Sequence, residues 1–175
     1  MTASPTDRRG TARRVAELAL LTAMALCAQW LESLLPPVLP AVPVRLGIAN
    51  VFTLFALLRR GRADALLVTL LRCLLFVLVA GNASQLPYSL AGSLLALGAM
   101  AALLGAQRAG RISTAGLSVA GAFCFNVGQL AVGCVAAGPA MLAYLPPMGL
   151  LSIPAGLATG LLAALLVRRV PPPRP

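Results

Sequence analysis

A chain of 175 residues that is 59% hydrophobic and only 10% charged, with a mean hydropathy of +0.91, is not a water-soluble domain, which runs nearer half apolar and a quarter charged. Its formal charge of +10 comes from arginine alone, since lysine and histidine are absent and the acids are Asp7, Glu17, Glu32 and Asp64. Those absences exclude a histidine triad, a histidine metal site, a Schiff-base lysine and a phosphate-loop lysine, so any ATP spent on this chain is hydrolysed by another polypeptide.

Residues 1–14 carry Arg8, Arg9, Arg13 and Arg14 and read as a disordered cytoplasmic tail. The apolar run at 15–35 has no small-residue cleavage site, and Leu26 before Cys27 spoils a lipoprotein box, so it reads as a retained span rather than a signal peptide. Further apolar stretches fall at 44–58, 65–80, 87–104, 112–137 and 146–167, and 168–175 reads as a second cytoplasmic tail. Crossing ~30 Å of hydrocarbon takes ~20 residues. The expectation is therefore an all-α, polytopic membrane protein, with six transmembrane helices in one domain over 15–167. The second and third stretches are short enough to form a tilted, broken or partly re-entrant pair.

Charge tests that count. Arg8 to Arg14 precede the first span, Arg59, Arg60 and Arg62 follow the second, Arg108 and Arg111 follow the fourth, and Arg168, Arg169 and Arg174 follow the sixth. A six-span chain puts all these clusters on one face, and the positive-inside rule makes that face, with both termini, cytoplasmic. Short arginine clusters between apolar runs are topology signals, so nucleic acid is not an expected partner; membrane lipid is. Trp30, Tyr88 and Tyr144 fall near the outer ends of their spans, as interfacial aromatics do. Cys27, Cys73, Cys124 and Cys134 lie in apolar runs without metal-ligand spacing and read as inert thiols; no metal or cofactor is expected.

Orientation gives each intramembrane polar residue a depth, and the costly ones gather in the middle and outer half. Gln29 and Glu32 close span one, Arg45 and Asn50 open span two, Arg72 sits mid-way along span three, and Asn82 and Gln85 follow it, with Tyr88 one turn on. Asn126 and Gln129, three apart and so on one face, belong to span five. A mid-span arginine costs roughly 2.5–3.5 kcal/mol on insertion scales, so Arg72 should face a cavity or a counter-charge. Glu32 is the natural partner for Arg72 or Arg45. Two readings stand: an ion pair that locks spans one to three together, or a polar substrate pocket open to the outside. Small residues at Ala19 and Ala23, and at Ser152, Gly156 and Gly160, make close-packing faces.

The stretches Arg45-Leu-Gly-Ile-Ala-Asn50-Val-Phe-Thr-Leu54, Ala65-Leu-Leu-Val-Thr-Leu-Leu-Arg72, Tyr88-Ser-Leu-Ala-Gly92-Ser-Leu-Leu and Asn126-Val-Gly-Gln129-Leu resemble the Gx transporter family, also labelled heptaprenyl diphosphate synthase component I. The chain is more distantly similar to the substrate-binding S components of energy-coupling factor transporters. The resemblance implies a six-helix membrane subunit that captures a small molecule, with an anionic one favoured by the arginines, and that works with a separate transmembrane coupling subunit and ATPases. It implies that Ala19 and Ala23 form the docking face for the coupling subunit. Phe125 stands where the family often has histidine, and Ser93 where it has glycine. The second label implies a non-catalytic membrane subunit of a prenyl diphosphate synthase in the cell membrane. Catalysis itself needs aspartate-rich motifs that Asp7 and Asp64 do not supply.

Overall fold

The computed structural model describes residues 5–34 and 47–170, with side chains from residue 10, and the described residues form six α-helices. In chain order they are α1 (Pro5–Ser33), α2 (Asn50–Arg59), α3 (Arg62–Ala80), α4 (Gln85–Arg108), α5 (Thr114–Ala137) and α6 (Leu145–Arg169), with a short 3-10 helix at Pro139–Tyr144 leading into α6. The all-α expectation and the count of six helices hold. Five of the six are long and apolar enough to cross a membrane. The exception is α2, whose 10 residues cover ~15 Å at 1.5 Å per residue.

Local chemistry accounts for the ends. Gly47, at φ 76°, turns the chain into α2, and Gly61, at φ 99°, separates α2 from α3, a conformation in which a Cβ is penalised. Ser113 caps α5, its hydroxyl accepting the Gly116 N–H at 3.0 Å. Pro146 and Pro147 open α6, where a missing N–H costs nothing.

The first helix starts ten residues earlier than its apolar run. Residues 5–14, expected as a disordered tail, extend α1 instead. Arg13 pairs with Glu17 one turn on at 2.9 Å, and Arg14 reaches Asp64 at the start of α3, its Nε donating at 3.2 Å. Those pairings give the polar turns a helical partner that composition alone does not reveal.

The long helices pack in the order α1, α3, α4, α5, α6, and α2 packs against α1, α3, α4 and α6, bridging the gap between α1 and α6. That position explains why α2 is apolar nearly all round, with Val51, Leu54, Phe55, Ala56 and Leu57 buried. Two seams are closed by glycine. A Cβ at Gly128 would stand 2.7 Å from the Ala91 carbonyl oxygen, which brings α5 hard against α4. A Cβ at Gly156 would stand 2.5 Å from Val119 Cα, so the Ser152-Gly156-Gly160 face serves packing of α6 on α5.

The helix ends sort into two layers. Arg14 with Asp64, Arg60 with Glu17, and Arg59 with the carbonyls of Val167 and Val170 tie α1, α2, α3 and α6 together at one end, called the arginine end below.

Candidate functional site

Arg72 organises a buried polar cluster about half-way along α3. Only 2% of it is exposed. One Nη donates to Gln29 Oε1 of α1, and the other donates to Ser93 Oγ of α4 at 2.6 Å. The Gln29 amide in turn donates to Ser89 Oγ at 3.2 Å, and Cys73 Sγ lies 3.5 Å from that hydroxyl. Three helices are thus joined through neutral groups. Among the described residues no carboxylate lies within ion-pair distance of Arg72.

Glu32, expected to partner Arg72 or Arg45, lies outside ion-pair distance of Arg72 and meets a backbone turn. Its Oε1 accepts the Gly47 N–H at 2.7 Å and its Oε2 accepts the Ile48 N–H at 3.2 Å. The positive φ of Gly47 exposes consecutive amides ahead of α2, and a carboxylate satisfies such orphan donors while facing the positive end of the helix. Glu32 therefore locks α1 to the start of α2. Asn50, the first residue of α2, folds its amide over the same turn, where a Gly47 Cβ would meet Nδ2 at 3.0 Å. Arg45 lies outside the described residues.

On the other side of the bundle, Asn126 of α5 donates through Nδ2 to the Met148 carbonyl at 3.1 Å and to Ser152 Oγ at 2.8 Å, fastening α6. Gln129 packs on α4, where a Gly92 Cβ would stand 3.1 Å from its Cγ. Tyr88 is half-buried with its ring beside Gly133 of α5. Gln85 is half-buried at the start of α4. Asn82 is exposed in the α3–α4 turn and accepts from Ser84 Oγ at 2.6 Å, so it joins neither cluster. Ala19 and Ala23 are exposed together on the outer face of α1.

Arg72 Nε, Asn126 Oδ1 and Gln129 Oε1 are buried with no hydrogen-bond partner among the described residues. Their residues are 2%, 6% and 4% exposed. Leaving such an atom unmet costs roughly 1–3 kcal/mol, and native proteins usually meet it with water, an ion or a ligand. The interior therefore holds one free cationic donor and two free amide acceptors. A cavity of about 320 Å³ lies elsewhere, between α1, α2 and α6 at the arginine end, and none of the residues expected to bind substrate line it.

Residues 21–166 match the model of the heptaprenyl diphosphate synthase component I family. The chain belongs to that family. No curated protein and no solved structure gives a match. This component I member is a helical, multi-pass membrane protein. Its two departures from the family pattern have visible roles. The hydroxyl of Ser93 accepts from Arg72, and the ring of Phe125 fills the space between Gly92 of α4 and the Gly47 turn. Ser89, Ser93 and Ser152 were absent from the expected site set. Ser89 and Ser93, four apart in an apolar helix, carried the signal of a polar face toward α3.

Proposed function

We propose that this chain is the integral membrane substrate-binding subunit of a small-molecule uptake transporter in the cell membrane, resembling an energy-coupling factor S component. Its ligand is held at the level of Arg72, Asn126 and Gln129, in the outer half of the bundle by the positive-inside rule. The observation that carries this reading is the trio of buried, unmet polar atoms on those residues. The bonds to Gln29, Ser93, Met148 and Ser152 account for the structural part of these side chains and leave the three atoms over. A ligand with an anionic or acceptor group toward Arg72 and N–H or O–H groups toward the two amides satisfies all three. Gln29, Glu32, Asn50, Gln85 and Tyr88 are proposed to shape that site. The exposed Ala19 and Ala23 support docking of a separate transmembrane coupling subunit, and ATPases are proposed with it from the likeness to S components.

Thermal-shift screening of the purified protein against vitamins, flavins, quinone precursors and prenyl phosphates tests the reading, because stabilisation grows with the ratio of ligand concentration to Kd. One class should raise the melting temperature. The double replacement Arg72→Ala with Asn126→Ala should remove that shift while the protein still inserts. An undiminished shift in the double variant sinks the proposal.

A second reading takes its support from the description of the matched family: a non-catalytic membrane subunit of heptaprenyl diphosphate synthase. Mixing the chain with a catalytic synthase subunit should then create or lengthen prenyl products. Unchanged products remove this reading and leave the first untouched.

A further inference from the structure

At the arginine end, α2 floors a cleft between α1 and α6, and the cleft holds the cavity of about 320 Å³. Its walls are apolar, from Leu21 and Met24 of α1, Phe52 and Phe55 of α2, and Leu166 of α6. Its polar lining is cationic: Arg13, Arg59 and Arg60 against the one carboxylate of Glu17, which Arg13 and Arg60 contact. That carboxylate is shared, since Arg13 donates a single Nε–H to it at 2.9 Å and Arg60 meets its other oxygen. A guanidinium has five N–H donors, so both keep donors free. Arg59 donates to the carbonyls of Val167 and Val170, while its Nε is buried without a partner. An unmet cationic donor beside an apolar cavity is an independent sign that an acceptor completes the site.

We infer that this cleft binds a phosphate-headed amphiphile by one apolar chain, with the chain between α1 and α6 and the phosphate on Arg13, Arg59 and Arg60. Planar guanidinium forks suit phosphate oxygens in pairs. The cavity of about 320 Å³ has room for one apolar chain to enter. A free inorganic anion leaves the walls uncovered, and a neutral lipid leaves the arginine donors unmet. The site lies at the arginine end, away from the Arg72 level midway along α3, and does not depend on the transport reading.

The test titrates the full chain in a neutral maltoside detergent with dodecyl phosphate, dodecanol or inorganic phosphate, and in nanodiscs compares phosphatidylglycerol with phosphatidylcholine, reading the melting midpoint. Dodecyl phosphate should raise the midpoint saturably, and dodecanol and inorganic phosphate should not. Arg60→Gln and Arg13→Gln should each weaken the apparent affinity by about tenfold or more, as loss of a charge-assisted hydrogen bond does. Arg111→Gln, an equal change of charge on an exposed turn, should leave it unchanged. Arginine-dependent stabilisation by phosphatidylglycerol identifies the bilayer as the source, and stabilisation by dodecyl phosphate alone identifies a free ester; either supports the site. Dodecanol matching dodecyl phosphate, or Arg111→Gln weakening binding as much as the groove variants, overturns it. Should Arg60→Gln fail to insert, Arg13→Gln carries the test, because its side chain is 53% exposed.

Discussion

Replacing Arg72 with methionine separates a ligand-binding arginine from a structural one. Methionine keeps the length and flexibility of the stem and removes the charge. On the losing side are the bonds to Gln29 and Ser93, worth roughly 1.5–3 kcal/mol each as hydrogen bonds to a charged group. On the gaining side are ~2.5–3.5 kcal/mol for no longer inserting a mid-span arginine, and roughly 1–3 kcal/mol for the unmet Nε. The two sides cancel to within about 3 kcal/mol. At about 2–4 °C per kcal/mol for a chain of this size, Arg72→Met should melt within about 12 °C of the parent, while the ligand-induced shift disappears. Circular dichroism melts in detergent, with and without the ligand from the screen, read both. A fall of more than about 12 °C with the ligand shift retained would refute the reasoning and make Arg72 a lock.

Glu32→Ala should cost at least ~2 kcal/mol, because two backbone N–H groups lose a charged acceptor, and should speed hydrogen exchange at Gly47 and Ile48; unchanged exchange there means the carboxylate is not what holds the turn. Gly156→Ala should destabilise by about 1–3 kcal/mol through the clash with Val119, whereas Gly98→Ala, into open space, should gain up to about 1 kcal/mol of helix propensity. Equal melting temperatures for the two variants contradict close approach as the seam between α5 and α6. In a cysteine-free background, Asn82→Cys in intact cells should react with a membrane-impermeant maleimide and Arg111→Cys only after permeabilisation; the reverse pattern inverts the orientation.

The helix count was legible because arginine, glycine and proline interrupt the apolar runs at almost every turn. The length of α2 was not. Its apolar run begins at residue 44, but the helix starts only at Asn50, after a turn held by a carboxylate of α1. Likewise the polar start of α1 reads as a tail from composition, and it is helical with Arg14 reaching Asp64 on α3. In both cases a tertiary contact overrode the local signal.

The same division runs through the candidate site. Depth is a local property, fixed by counting residues from a charged end, and it brought Gln29, Arg72, Asn126 and Gln129 to the buried interior. Partnership depends on the rotation and tilt of helices far apart in sequence, and charge is a poor guide to it inside a bundle. A carboxylate near a helix start finds backbone donors that have no other acceptor, so Glu32 goes to the Gly47 turn, and Arg72 is left to an amide and a serine. Neutral partners satisfy part of a guanidinium without neutralising it. That leaves the charge of Arg72 uncompensated by any described carboxylate within ion-pair distance, at the depth where an unmet acceptor on each of two amides also waits. An ion pair with Glu32 at contact distance would compete with the anionic ligand proposed above; with Glu32 held on the Gly47 turn, the proposal requires that ligand to meet Arg72 itself.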